Sequence, residues 1–438
     1  EQDQDFIPRL GTSTKYITPF VALSLEDAPE RHRLRAELFA KSKYKQQPLP
    51  PHQKPRSKPR RLRIGYFSAD FQEHPVSYVM AKVFEVHDRN CFEVYGYSIG
   101  PAKEGRMRQR LIKSFDKFDD VQGMSNKDIA LLARQDKIDI AIDLTGYTKN
   151  NRAGIFAYRA APIQINYLGY PGTMGADFMD YIIVDQIMIP QDSRKFYSEK
   201  PIYLPHSFSS DNTMPIAEQT PTRSDLGLPE KAFVFCALHN SYKISPSEFN
   251  IWMRLLKHVD GSVLWLLESN RWMKSNLIKE AKIRGVDPDR LVFAKHTSHE
   301  EYLAQFRQAD LQLDTFNITG GSTSNNALWA GLPVLTKLGK SYSSRVTGSL
   351  LTAIGFPELM TTTEAEYEAL ALKLATNPKL LSKIRQRLDA NRLSAPLFDT
   401  ESFTKHLEEG YQKAYQLYFD GKEPDVILIG PPGLVHVE

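Results

Sequence analysis

The sequence predicts two α/β domains, each a parallel sheet with helices on both faces, and three observations carry that prediction. From Leu62 onward, short apolar runs alternate with helical stretches, as a doubly wound sheet requires, because parallel neighbours are joined by crossover helices. The alternation runs twice, interrupted near residues 206–230 by the polar stretch SFSSDNTMPIAEQTPTRSDLGLPEKA. At 438 residues, 41% of them hydrophobic and 25% charged, the chain is long enough for two cores rather than one.

The elements follow in order. EDAPERHRLRAELFAKSKY reads as a helix capped near Asp27, with Leu34, Leu38 and Phe39 on one face. QQPLPPHQKPRSKPRR is proline-rich and basic, too polar to pack and too interrupted for a helix. It is expected to be a linker, with a patch for an anionic partner as the alternative. The first strand series is RLRIGYFSAD, FEVYGYSIG, IDIAIDLTG, PIQINYLGYPG and YIIVD; the second is FVFCALHN, SVLWLLES, RLVFAKH, LQLDT and PVLTKLG. No helical repeat of the 34-residue kind is present. DTESFTKHLEEGYQKAYQLYF reads as a long amphipathic helix opened by Asp399 or Thr400, placed to brace one domain against the other. The expected division is a helical appendage and linker over 1–61, domains over 62–205 and 206–398, and a helix and tail over 399–438.

Bulk properties exclude some classes of function. The formal charge of +4 offers no argument for nucleic acid or an anionic membrane. Cys91 and Cys236 stand far apart, without metal-ligand spacing or a disulfide framework, which fits a reducing, cytoplasmic setting. There is no apolar run of membrane-spanning length, and the acidic opening EQDQDF shows no signal-peptide pattern.

One stretch concentrates small polar groups. In ADLQLDTFNITGGSTSNNALWAGLPVLT, LQLD ends a strand, FNITGGSTSN turns, NNALWAG is a helix stopped by Gly331, and PVLT starts the next strand. The helix start carries Gly320, Gly321, Ser322, Thr323 and Ser324. A helix amino terminus presents unpaired N–H groups and roughly half a positive charge, and glycines admit a phosphate close to the backbone. A helix cap beside a plain loop is the competing reading. The stretch is neither a P-loop nor a dinucleotide fingerprint.

The chain resembles the catalytic region of the O-linked N-acetylglucosamine transferase and SPINDLY family, from about Arg61 to the final helix. The motifs are IGYFSADFQEHPVSY (64–78), DLTGYTKNNRAGIFAYRAAPIQINYLGYPGTMGADFMDYIIVD (143–185), FYSEKPIYLPHSF (196–208), HNSYKISP (239–246), DTFNITGGSTSNNALWAGLPVLT (314–336) and SRV (344–346). The resemblance implies the GT-B fold, two facing Rossmann-like domains with an interdomain cleft. It further implies transfer of a sugar from a nucleotide donor to Ser/Thr of proteins. The tetratricopeptide array of eukaryotic members is not seen here, and YLPHSF passes to FVFCALHN without the inserted domain some of them carry, as in a compact bacterial form.

Residue by residue, Lys243 matches the family lysine on the leaving diphosphate; a surface lysine beside a strand end is the plain alternative. Ser322 and Thr323 match the phosphate-contacting hydroxyl pair. His74 matches a histidine near the sugar once considered as general base, and a hydrogen-bonding spacer beside Pro75 is its alternative. Gly169, Pro171 and Gly172 match the loop bordering the sugar, where Tyr170 is expected to pack. Tyr242 matches a sugar-side residue, although an aromatic after a strand is more often core. The chain departs from the animal enzymes in the nucleotide pocket. Gly321 replaces a histidine, Asn326 a ribose-binding aspartate, Tyr302 a histidine stacked on uracil, and Ser241 a phosphate-side glutamine. Tyr302 keeps a π face and Asn326 a hydrogen-bonding amide.

The resemblance implies a site that uses side chains and dipoles instead of a metal, and the Asp-x-Asp of Asp287-Pro-Asp289 reads as a turn into a strand. The resulting expectation is an inverting transferase moving N-acetylglucosamine from UDP-GlcNAc to protein Ser/Thr. The alternatives are a SPINDLY-type transferase using GDP-fucose or another nucleotide hexose, and a non-catalytic nucleotide-sugar sensor.

Overall fold

The structure, a computed structural model, describes residues 6–430 other than 14, 46 and 102. The opening EQDQD and the end of the tail lie outside the described residues. All ten expected strands form. β1 (Leu62–Ser68), β2 (Phe92–Ser98), β3 (Lys117–Asp120), β4 (Ile140–Asp143), β5 (Ile163–Asn166), β6 (Tyr181–Val184) and β7 (Lys200–Tyr203) belong to one sheet, and β8 (Val234–Ala237), β9 (Val263–Leu267), β10 (Leu291–Ala294), β11 (Leu311–Leu313), β12 (Val334–Lys337) and β13 (Met360–Thr361) to a second. β14 (Ile427–Leu428) returns to the edge of the first.

Both sheets are parallel, in the orders β14-β7-β6-β5-β4-β1-β2-β3 and β10-β9-β8-β11-β12-β13. Helices cover both faces of such sheets, so central strands read as continuous apolar runs, and Ile140–Asp143, Val234–Ala237 and Val263–Leu267 are buried throughout. The strands absent from the sequence expectation lie at or near sheet edges. Lys117–Asp120 is polar and only half-buried, and β13 and β14 are two residues each.

The chain groups into two compact units. Residues up to Leu23, Ala28–Asn212 and from Asp399 onward form the first; Ser24–Asp27 and Thr213–Phe398 form the second. This grouping takes the segment from Asp399 onward and most of residues 1–61 into the first unit. The final helix, Thr400–Phe419, capped by Asp399 through Ser402 N–H (3.0 Å), buries Phe403, Leu407, Tyr411, Ala414 and Tyr415 in the core of the first unit. There its Glu408 accepts from His87 Nδ1 (2.9 Å) and Asp88 N–H (2.8 Å), and the His87 ring meets the Tyr66 hydroxyl (2.8 Å).

The proline-rich stretch is not a free linker but a strap on the first unit. Leu49 N–H donates to Tyr158 O (3.2 Å), Arg134 donates to Pro50 O (2.6 Å), and the His52 ring bonds Arg159 O (3.0 Å). Lys58 reaches Gln416 and the Phe419 ring. Backbone carbonyls, which composition does not reveal, let so polar a segment pack.

The early helix, Pro29–Lys43, also departs from expectation. Its amino-terminal cap is Ala28, with no side-chain bond, and Asp27 is engaged elsewhere. Its buried face is His32, Arg35, Ala36, Phe39 and Ala40, while Leu34 is exposed. Arg35 donates to Ile7 O (2.8 Å) and Leu10 O (2.7 Å), satisfying carbonyls at the end of the helix Phe6–Arg9. A guanidinium therefore occupies the face that hydropathy assigns to leucine.

Candidate active site

In the second unit, β8 connects toward β9 and β11 toward β12, so the strand order reverses between the adjacent β8 and β11. Loops leaving a parallel sheet at such a reversal part from each other and open a crevice at the carboxyl edge. Lys243 follows β8, and the glycine–hydroxyl stretch follows β11. The structure brings them together: Lys243 Nζ donates to Thr319 O at 3.0 Å.

Beneath this contact lies Asp314, fully buried at the end of β11. Its Oδ1 accepts from Thr315 N–H (2.9 Å) and Gly320 N–H (2.6 Å), and its Oδ2 from the Thr336 hydroxyl (2.7 Å). Burial pushes its carboxyl up to about 6, opposed by the Thr347 and Thr336 hydroxyls and by Lys243. Burial holds the Lys243 ammonium down at about 8, with Asp314 pulling it back up. His239, also buried, bonds Leu313 O through Nε2 (3.2 Å) and is held at about 3 by burial and by Lys243. It is neutral at physiological pH. Lys243 is thus the proton-bearing cation of the cluster.

The helix after the glycines is Ser322–Trp329, ended by Gly331 in the left-handed region (φ 86°). The glycines have structural reasons of their own. Gly321 caps the helix at φ 50°, and a Cβ on Gly320 would stand 1.9 Å from Ser324 Oγ. Gly320 spends its N–H on Asp314, and Thr323 N–H bonds Gly320 O (2.9 Å). Among the described residues, the N–H groups of Gly321 and Ser322 and the Ser322 hydroxyl make no hydrogen bond. These donors are unspent, whereas the Gly320 N–H is taken by Asp314.

Tyr302, on the helix His299–Gln305, reaches the same edge. Its hydroxyl donates to Leu238 O (3.4 Å) and meets the Thr323 hydroxyl, while its ring packs edge-on against Phe306 at 4.9 Å. Ser241 Oγ accepts from Ser269 Oγ (2.8 Å) and Asn270 Nδ2 (3.4 Å). Asn326 is buried in the second turn of the helix Ser322–Trp329. Tyr242 is 49% exposed, so it is not the core residue that its place after a strand suggests. Asp287-Pro-Asp289 forms the expected turn: Asp287 accepts from Asp289 N–H (3.1 Å) before β10.

In the first unit the order reverses between β1 and β4. Ala69 N–H donates to Thr145 Oγ1 (2.9 Å), tying together the loops that follow them. His74 ends the β1 loop and caps the helix Pro75–Val86, its Nδ1 accepting from Val76 N–H (3.3 Å). Its Nε2 stands 3.7 Å from Asp70 Oδ1. Burial lowers its pKa, with Asp70 opposing. The cap occupies the Nδ1 lone pair, so neutral His74 carries its proton on Nε2. In this geometry the ring presents an N–H at Nε2. Gly169 lies on the loop after β5, where a Cβ would stand 2.0 Å from Leu144 O on the loop after β4. Asn166 Nδ2 donates to Gly172 O (3.0 Å), and Pro171 stands between Gly172 and Tyr170. Tyr170 packs as expected, 1% exposed and 5.4 Å from the Tyr147 ring.

Asp314, Thr319 and His239 stand within the family-like motifs, but no local pattern marks their roles. The signal for Asp314 is an aspartate that follows a buried strand and precedes the glycine pair Gly320–Gly321 by one short loop.

Two parallel α/β sheets of this order, one with a cation and unspent helix-terminus donors at its point of reversal, define a GT-B nucleotide-sugar enzyme fold. The chain belongs to glycosyl transferase family 41, whose model matches residues 35–214 and 209–407. It is 38% identical over 390 residues to the probable UDP-N-acetylglucosamine–peptide N-acetylglucosaminyltransferase SEC of Arabidopsis thaliana, covering 86% of this chain and 40% of that protein. It is 33% identical to the probable transferase of the same description, SPINDLY, of Hordeum vulgare, covering 84% and 40%. A solved mutant of Thermobaculum terrenum O-GlcNAc transferase superposes with TM-score 0.83 at 29% identity, over 92% of this chain and 77% of that one. Anabaena HepE with UDP-glucose, at 12% identity and TM-score 0.54, shares the fold alone. The chain spans about two-fifths of the length of these curated relatives.

Proposed function

We propose that the chain transfers N-acetylglucosamine from UDP-GlcNAc to Ser/Thr hydroxyls of proteins with inversion. The acceptor oxygen bonds the anomeric carbon as the bond from that carbon to the diphosphate breaks, and the electron pair leaves with UDP. The observation that carries this reading is Lys243 held against Thr319 O beside the unspent N–H groups of Gly321 and Ser322. Donors fixed where charge develops stabilise the transition state without reorganising. Ser322 and Thr323 hydroxyls, Ser241, Tyr302 and Asn326 complete the proposed nucleotide side. His74, Gly169, Pro171 and Tyr242 are proposed for the sugar side through their match to the family motifs, with His74 donating from Nε2. The acceptor's proton then leaves to solvent or to the donor phosphate.

Positive charge at the diphosphate comes from an ammonium and a helix terminus, so turnover is expected to survive EDTA. Among the described residues, no helix is long and apolar enough to cross a membrane. Both cysteines are free, in keeping with a cytoplasmic setting.

The test is a donor panel of UDP-GlcNAc, UDP-GlcNAc analogues and GDP-fucose, incubated with Ser/Thr peptides and read by mass spectrometry. A mass gain of one N-acetylhexosamine from UDP-GlcNAc supports the reading. Gain only from GDP-fucose identifies the SPINDLY-type donor instead, and tight UDP binding with no transfer from any donor identifies a sensor.

A further inference from the structure

The loop Gly339–Ser344, between β12 and the helix Val346–Ala353, is built around a carboxylate from far away in the sequence. Asp27 Oδ1 accepts from Ser341 N–H (2.8 Å), Ser341 Oγ (2.6 Å) and Ser344 Oγ (2.8 Å), and Oδ2 accepts from Lys340 N–H (2.7 Å). A Cβ at Gly339 would stand 2.4 Å from that Oδ2, so only glycine admits the carboxylate. Two backbone donors and two hydroxyls converge on one side chain, and charge-assisted bonds of this kind are about twice as strong as neutral ones.

The loop so held carries the phosphate side in turn. Ser343 O accepts from Thr319 N–H (2.9 Å) and Thr319 Oγ1 (3.0 Å), and Ser343 Oγ donates to Asn317 O (2.8 Å). Asn317 Nδ2 donates back to Ser24 O (3.0 Å). Thr319 O is the acceptor of Lys243 Nζ (3.0 Å). A closed circuit therefore runs from Ser24–Asp27 through 339–344 and 317–319 to the ammonium.

We propose that Asp27 is a positioning residue: it holds the 339–344 loop so that Thr319 O fixes Lys243 for a nucleoside diphosphate. Ser24–Asp27, though remote in sequence, is then part of the diphosphate-binding machinery. The inference rests on the reading of Lys243 given above. It assigns Asp27 no contact with substrate.

The test is UDP titration calorimetry on the full 438-residue chain, as wild type, Asp27→Ala, Lys243→Ala and the double variant. Asp27→Ala is expected to raise the UDP Kd about tenfold, the scale of one charge-assisted bond. In the Lys243→Ala background, the same substitution is expected to change Kd less than twofold, because the two act through one contact. A merely structural role would reduce the fraction of binding sites and leave Kd unchanged, and that result overturns the proposal. Full additivity in the double variant overturns it as well. Wild-type affinity in Lys243→Ala would overturn the reading of Lys243 instead, which a different variant reports. Should Asp27→Ala fail to fold, Asp27→Asn and Gly339→Ala perturb the same carboxylate, and unchanged Kd in both refutes the proposal.

Discussion

Raising the pH through 8 removes the proton from Lys243 in the free protein, because burial holds its ammonium at about 8 against an ordinary 10.5. If that charge serves the leaving diphosphate, kcat/KM for donor turnover falls on the alkaline side with a midpoint near pH 8, about tenfold per pH unit beyond it. The complex should behave differently. A phosphate charge about 4 Å from the ammonium contributes on the order of 4 kcal/mol at an effective dielectric of about 20, equivalent to roughly 3 pKa units. Even half of that moves the bound-state midpoint above about pH 9, so the alkaline limb of kcat lies well above that of kcat/KM. UDP release from UDP-GlcNAc, measured between pH 6 and 10, gives both profiles. Lys243→Arg is the decisive control, since a guanidinium stays charged throughout. A kcat/KM limb near pH 8 that persists in Lys243→Arg, or coincident limbs in kcat and kcat/KM, would refute the reasoning.

Asp314→Asn removes the carboxylate that raises the Lys243 pKa, so the alkaline limb of kcat/KM should move to lower pH in the same assay. His74→Ala loses the cap on Val76 N–H and should cost about 1 kcal/mol in urea unfolding, which His74→Asn restores. Because Nδ1 is engaged, kcat in His74→Ala should fall by about tenfold, short of the 10²–10⁴ that loss of a general base brings. Gly169→Ala forces a Cβ onto Leu144 O and should destabilise by roughly 3 kcal/mol or more, read as a fall in Tm. Glu408→Ala strips the acceptor from both His87 Nδ1 and Asp88 N–H, at a cost of about 2–3 kcal/mol by denaturant titration.

Hydropathy and turn chemistry made the fold legible because both are local. Central strands such as Val263–Leu267 are apolar throughout, and Gly331 stops its helix at a left-handed position. The same locality made the candidate site legible as segments: the lysine loop, the glycine–hydroxyl helix start and the His74 loop each announce themselves. What each atom is committed to was not legible. Gly320 N–H belongs to Asp314, the His74 Nδ1 lone pair belongs to its own helix, and Asp27 caps a loop more than 300 residues away instead of the helix it precedes.

By itself, then, the sequence determined the succession of strands and helices and the residue types available at each strand end, since these depend on near neighbours along the chain. Only the tertiary structure decided which lone pairs and N–H groups are spent and which remain, that Lys243 meets Thr319, and that proline-rich and early segments pack through backbone carbonyls. The reason is physical: hydrogen bonds between distant segments and the desolvation that shifts a pKa depend on what folding brings near, which composition and periodicity do not encode.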